Sequence, residues 1–192
     1  IVGGENSFHN NTDGLDISMT VSGFVKSPKT NKFKIGDVLI GLKSNGLHSN
    51  GITMVRETFG KEFRKEFTIP TRIYLDEILA LLDKYKINGM MHITGGAFTK
   101  LKDILGRADA HIYHPPNLQP QKIFKDIYKR GISNKDMYTI FNCGIGFVIS
   151  VPKGTEKKVL SNLRDAGVIG QITKGSGKVF IKSAFNREVV QL

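Results

Sequence analysis

Tryptophan is absent from this 192-residue chain, and cysteine occurs once, at position 143. A single thiol excludes an internal disulfide framework and a cysteine-built zinc site, and it suits a reducing, cytoplasmic setting. No uninterrupted apolar run approaches the roughly 20 residues that a membrane-spanning helix needs, and no signal-peptide pattern opens the chain. Acidic residues are few: 17 Asp+Glu against 28 Lys+Arg leave a formal net charge of +11. No Gly-x-x-x-x-Gly-Lys-Ser/Thr loop and no Rossmann fingerprint occur, so a nucleotide would need another geometry or another part of the protein. What is present is a balance of 40% apolar and 23% charged residues, which excludes a disordered or low-complexity chain. The chain opens on Ile1-Val2-Gly3-Gly4 and reads as cut from something longer.

The positive surplus predicts phosphate-bearing partners, although a solvated, lysine-rich surface accounts for most of it. The basic residues are densest at positions 26–34, 61–65 and 122–130, and none of these is a run of like charge. With no zinc-finger spacing and no paired-aromatic RNA motif, nucleic acid is not expected as a partner.

Alternation of Ile17, Met19 and Val21 predicts a strand over 17–25, followed by a Lys/Pro/Asn connector at 26–34. A compact unit is expected to start at Ile35-Gly36-Asp37 and to alternate strands with helices. Strands are predicted at 38–42, 90–93, 145–151, 168–173, 178–182 and 188–191. Helices are predicted from 52, capped by Ser49-Asn50, and after Pro70-Thr71, with Ile78, Leu79, Leu82 and Tyr85 on one face. Others are expected at 98–105, 119–130, 135–141 (capped by Ser133) and 155–166, the last ended by Gly167. Gly175-Ser176-Gly177 is expected to join two strands as a hairpin. The sum is an α+β fold, a layered α/β/α domain with a mixed sheet.

Three segments share one pattern, in which a buried strand adjoins a glycine-bearing polar turn next to a helix. They are Ser44-Asn45-Gly46-Leu47-His48-Ser49-Asn50-Gly51, Thr94-Gly95-Gly96, and Asn142-Cys143-Gly144-Ile145-Gly146. Glycine lets backbone N–H groups approach an anion, and such turns cradle phosphate when they meet at one sheet edge. Taken singly, each has ordinary turn chemistry as its alternative. The first exceeds what a turn requires. His48 is a candidate phosphate ligand, general acid or base, or buried hydrogen-bonding group. His92 is expected as a satisfied core histidine, while His111 and His114, flanking Pro115-Pro116, fall in an expected loop and are assigned no chemistry. Cys143 lacks a histidine partner for nucleophilic work. Arg72 is either a phosphate clamp or half of a surface ion pair.

In order along the chain stand Gly3-Gly4-Glu5, Gly36-Asp37-Val38-Leu39-Ile40-Gly41-Leu42, the His48-Ser49-Asn50-Gly51 turn, Pro70-Thr71-Arg72-Ile73-Tyr74, His92-Ile93-Thr94-Gly95-Gly96 and Phe141-Asn142-Cys143-Gly144. Together they resemble the aminoimidazole ribonucleotide synthetase family, the phosphoribosylformylglycinamidine cyclo-ligases. The resemblance implies a cytoplasmic, homodimeric, two-domain enzyme that uses ATP and Mg2+, with most nucleotide and metal contacts in the N-terminal domain. Residues 1–34 would be the tail of that domain and 35–192 the C-terminal substrate- and phosphate-binding domain. It implies catalytic roles for His48 and Glu5, and substrate or phosphate contacts by Ser49, Asn50, Gly51, Arg72, Thr94, Gly95, Gly96, Asn142 and Gly144. No metal ligand is assigned. The chain departs from the family pattern at Asn6, where Thr is usual, and at Ala97, where many members have a third glycine. The implied reaction closes formylglycinamidine ribonucleotide to aminoimidazole ribonucleotide with release of ADP and phosphate, the isolated chain being inactive. An inactive binding or regulatory domain, and a kinase acting on another phosphorylated metabolite, are the alternatives.

Overall fold

The computed structural model describes residues 19–24 and 30–192. Glu5, together with Gly3, Gly4, Asn6 and His9, lies outside the described residues. The central strand β1 (Val38–Lys43) alternates Leu39 to one face and Ile40 and Leu42 to the other, and all three are completely buried. A strand apolar on both faces must be covered on both. It lies between β4 (Ile145–Val151) and β5 (Ala166–Lys174), antiparallel to each. Beyond β4 is β2 (Gly89–His92). Beyond β5 come β3 (Ala108–Ile112), β6 (Val179–Lys182) and β7 (Val189–Gln191). The seven-stranded order is β2-β4-β1-β5-β3-β6-β7, mixed because β3 and β6 run parallel.

Helices α1 (Ile52–Phe59), α3 (Lys102–Leu105), α4 (Lys122–Lys129) and α5 (Asn134–Ile140) cover one face, where Val55, Phe124, Ile127 and Tyr138 pack in the cluster that holds Leu39, Ile145 and Ile169. On the other face α2 (Leu75–Lys84) and α6 (Glu156–Leu160) bring Ile78, Leu81 and Val159 onto Ile40, Leu42, Ile149 and Val151. This second cluster takes no residue from β3, β6 or β7. The layered α/β/α architecture with a mixed sheet is therefore the observed one, and on the second face no helix among the described residues contributes to a cluster over β3, β6 and β7. At the start of β1 the buried Asp37 carboxylate accepts from Lys34 N–H, Asn88 Nδ2 and Ser150 Oγ, which ties the starts of β1 and β2 to the end of β4.

Several expectations are corrected. Within the strand expected over 17–25, residues 19–24 have no regular structure, and Met19, Val21 and Phe24 are exposed. Helix α1 is entered through Gly51 in a left-handed conformation, with no side-chain cap from Ser49 or Asn50. On α2 Ile78 is buried and Leu82 and Tyr85 pack against the same cluster as expected, but Leu81, 1% exposed, faces inward and Leu79, 50% exposed, does not. Helix α6 is short, because Ala166 and Gly167 pair with Leu42 and Gly41 in the sheet. The expected β5–β6 hairpin is split: β3, unforeseen at 108–112, inserts between them, and β6 forms its hairpin with β7. Ser133 does cap α5, its Oγ accepting from Asp136 N–H at 3.1 Å.

Candidate functional site

Because β4 is antiparallel to both β1 and β2, its first residues lie where those two strands end. The polar turns after β1, after β2 and before β4 therefore open on one edge of the sheet. Hydrogen bonds fix them to one another. Ser44 N–H donates to the Gly144 carbonyl at 3.0 Å, Ile93 N–H to the Gly146 carbonyl at 2.9 Å, and Asn142 Nδ2 to the Gly46 carbonyl at 2.8 Å. Asn142 also accepts from Gly144 N–H and is 1% exposed, so it rivets the turns together from beneath. Asn50 donates to the Ile140 carbonyl, and its Oδ1 lies 3.8 Å from where a Cβ on Gly95 would be. The first and second turns are thus neighbours. Ser49, Gly95 and Gly96 are exposed at this rim, with Asn50, Gly51 and Thr94 half-buried.

The rim is built of unusual backbone. His48 (φ 58°), Ser49 (φ 52°) and Gly51 (φ 70°) are left-handed, as are Gly96 (φ 77°) and Ala97 (φ 40°). Non-glycine residues persist there only where their surroundings hold them, and such backbone clusters at functional sites. Gly51 is required sterically, since a Cβ would overlap the Phe141 ring.

Under the rim, His48, Tyr74 and His92 form a ring cluster, with centroids 5.9 Å apart for the two histidines, 6.0 Å for His48–Tyr74 and 5.6 Å for Tyr74–His92. The space that His48 and Tyr74 share exists because residue 146 is glycine: its missing Cβ would meet the Tyr74 hydroxyl and His48 Cε1. His48 is 3% exposed, and its Nε2 accepts from Asn45 N–H at 3.3 Å, which leaves the proton on Nδ1, a buried donor without a hydrogen-bond partner. Burial, reinforced by the nearby His92 and Arg72, lowers its pKa to about 4. Burial and Lys100 lower that of His92, whose Nε2 is likewise buried and without a partner. Both imidazoles are neutral at pH 7. In that state they can offer a hydrogen bond or accept a proton but cannot serve as cations for phosphate.

Arg72 is already engaged. Its Nη2 meets both Glu77 carboxylate oxygens at 2.8 and 3.0 Å, its Nη1 donates to the Lys43 carbonyl, and its guanidinium lies over the Tyr74 ring. Tyr74 donates to the same carbonyl at 2.9 Å. In this arrangement Arg72 orients Tyr74 and the end of β1. Cys143 is buried, donates to the Met137 carbonyl, and burial pushes its thiol pKa well up, which removes it as a nucleophile.

Sequence reasoning missed Tyr74 and misjudged His92, whose imidazole is not satisfied by the core. The available signal was positional: His92 ends β2 immediately before the glycine turn, and Tyr74 follows Arg72 by two residues. Among the described residues no group of three His, Cys, Asp or Glu is placed to hold a metal. The one carboxylate described at the cluster, Glu77, is bound to Arg72. These residues fit a phosphate or an amide-bearing substrate and do not make up a magnesium site. No helix among the described residues is long and apolar enough to cross a membrane.

Residues 34–182 match the family described as AIR synthase related protein, C-terminal domain. The phosphoribosylformylglycinamidine cyclo-ligase of Clostridium tetani is 42% identical over 163 residues, covering 78% of this chain and 49% of the relative. That of Saccharolobus solfataricus is 35% identical over 203 residues, covering all of this chain and 60% of the relative. The chain thus spans about half to three fifths of the length of these curated relatives. Among solved structures, a hydrogenase maturation protein HypE superposes with a TM-score of 0.60 at 16% identity, over 88% of this chain and 56% of that one, a likeness of fold.

Proposed function

The chain belongs to the AIR synthase related family through its C-terminal domain, and from that premise we propose that it forms the substrate- and phosphate-binding half of a phosphoribosylformylglycinamidine cyclo-ligase. The domain division falls near residue 34, and the whole enzyme closes the imidazole ring of a formylglycinamidine ribonucleotide at the expense of ATP. The observation that carries this reading is the meeting of the three turns at one sheet edge above two neutral histidines. Backbone N–H groups of 49, 51 and 94–96 would bind phosphate oxygens, for which positioning and charge neutralisation matter more than covalent help. A neutral His48, presenting a proton on Nδ1, suits a hydrogen bond to the amide oxygen being activated, and His92 suits proton acceptance from the attacking amidine nitrogen. Glu5 remains a family-derived candidate.

ATP and Mg2+ belong to the reading of the longer enzyme, as do its cytoplasmic location and homodimeric state. An open apolar groove of about 530 Å3 beside the rim supports a second domain closing there: it is lined by Arg72, Tyr74, Met90, His92 and Phe147, with Ile73 84% exposed at its mouth. The test is a paired assay on the 192-residue chain. Calorimetric titration is expected to show binding of formylglycinamidine ribonucleotide, while ATP added with it gives no ring closure above background. Failure to bind the ribonucleotide contradicts the site, and robust ring closure by this chain contradicts the division of labour.

A further inference from the structure

On the second face, the β3-β6-β7 half of the sheet, over which no helix among the described residues packs, has a chemistry of its own. His111 on β3 and Phe180 on β6 are in direct register, and their rings stack with centroids 5.0 Å apart and planes 13° from parallel. With Tyr113, 42% exposed, they line a groove of about 440 Å3 on the bare face, bounded by Glu156 of α6. Tyr113 and Lys182 also line a second, polar cavity of about 600 Å3 with His114, Gln119, Ser183 and Arg187. The two compartments are therefore contiguous. Neither Lys182 nor Arg187 has an ion-pair partner among the described residues. His114 donates from Nδ1 to the Leu118 carbonyl, and burial keeps its ring neutral; its Nε2 is a buried acceptor with no partner.

We propose that this aromatic groove and the basic cavity joined to it form a second ligand site, for a nucleoside monophosphate. A planar heteroaromatic ring extends a stack of rings at little cost in specificity, and an unpaired Arg and Lys supply the charge for a phosphate. Both volumes lie in the range of small-molecule sites. The basic residues are dispersed along the sequence and form no run of like charge, which favours a single nucleotide over a strand. The site lies at the β3–β6 end of the sheet, across β5 from the rim turns that follow β1 and β2, so it goes beyond the cyclo-ligase reading and does not depend on it.

Titration of the 192-residue chain with AMP, followed by ring and backbone NMR shifts, tests it. AMP is expected to shift His111, Tyr113 and Phe180 saturably, with adenosine and inorganic phosphate each binding at least about tenfold more weakly. Phe180→Leu and Arg187→Gln, both on exposed or half-exposed side chains, are each expected to weaken AMP about tenfold while circular dichroism stays unchanged. Shifts confined to residues 48–51 and 94–96, unaltered AMP affinity in both variants, or a short oligoadenylate binding far more tightly than AMP would each overturn the proposal.

Discussion

Gly146→Ala is expected to lower the thermal unfolding midpoint by about 10 °C and to disorder the histidine cluster. An alanine Cβ would overlap the Tyr74 hydroxyl and lie 2.5 Å from His48 Cε1. Neither ring yields cheaply. Tyr74 is held by its hydrogen bond to the Lys43 carbonyl and by the Arg72 guanidinium. His48 is fixed by left-handed backbone on an adjoining, hydrogen-bonded turn. Overpacking of this kind costs about 1–3 kcal/mol, and a broken Tyr74 hydrogen bond adds about 1 kcal/mol. A loss of about 3 kcal/mol in a domain of this size moves the midpoint by about 6–12 °C. Circular-dichroism melts measure it. Adding Tyr74→Phe removes the overlapping oxygen, so the double variant is expected to recover part of the loss, and a Gly146→Ala midpoint equal to that of the parent would refute the packing described.

Acidification should produce the second large effect. His48 and His114 have pKa values lowered to about 4 from an ordinary 6.5, chiefly by burial, and His92 is shifted the same way. The native state therefore resists protonation that the unfolded chain accepts. Above about pH 6.5 both states are neutral at these positions and the contribution to stability is complete. As pH falls from 6.5 towards 4, the unfolded chain takes up protons that the native chain does not, and stability is lost; below about 4 nothing of it remains. Each of the two histidines contributes on the order of 3 kcal/mol over that window. The Tm is expected to be flat between pH 7 and 8 and to fall steeply from 6.5 to 4, before the acid-shifted carboxylates Glu62, Asp109 and Asp126 titrate. His114→Gln is expected to flatten the profile. A Tm that stays constant down to pH 5 would show that these imidazoles are solvated.

Much of the sheet and both helix layers follow from patterns local to the chain. The both-face burial of β1 is written in an unbroken Val38-Leu39-Ile40-Gly41-Leu42 run, and the Ser133 cap in its position three residues before Asp136. Pairing order is not local. Nothing in Ala108-Asp109-Ala110-His111-Ile112 distinguishes a strand from a loop before it is known that β5 and β6 leave a place between them. Helix α6 failed for a related reason, since the sheet claims Ala166 and Gly167 and cuts short a helical periodicity. At the rim, the polar richness of 44–51 and the glycine turn at 94–96 marked the place, but the cluster beneath could not be read. Tyr74 and His92 come from segments far from His48, and Tyr74 can approach His48 because Gly146, on a fourth segment, leaves room for both.

Whether these segments meet as one binding site is read by a nitrogen-15 NMR titration of the chain with formylglycinamidine ribonucleotide. The largest amide shifts are expected to fall together on residues 48–51 and 94–96, with the His48 and His92 rings following at the same ligand concentration. Shifts that leave these two turns unmoved while saturating elsewhere on the domain would contradict it.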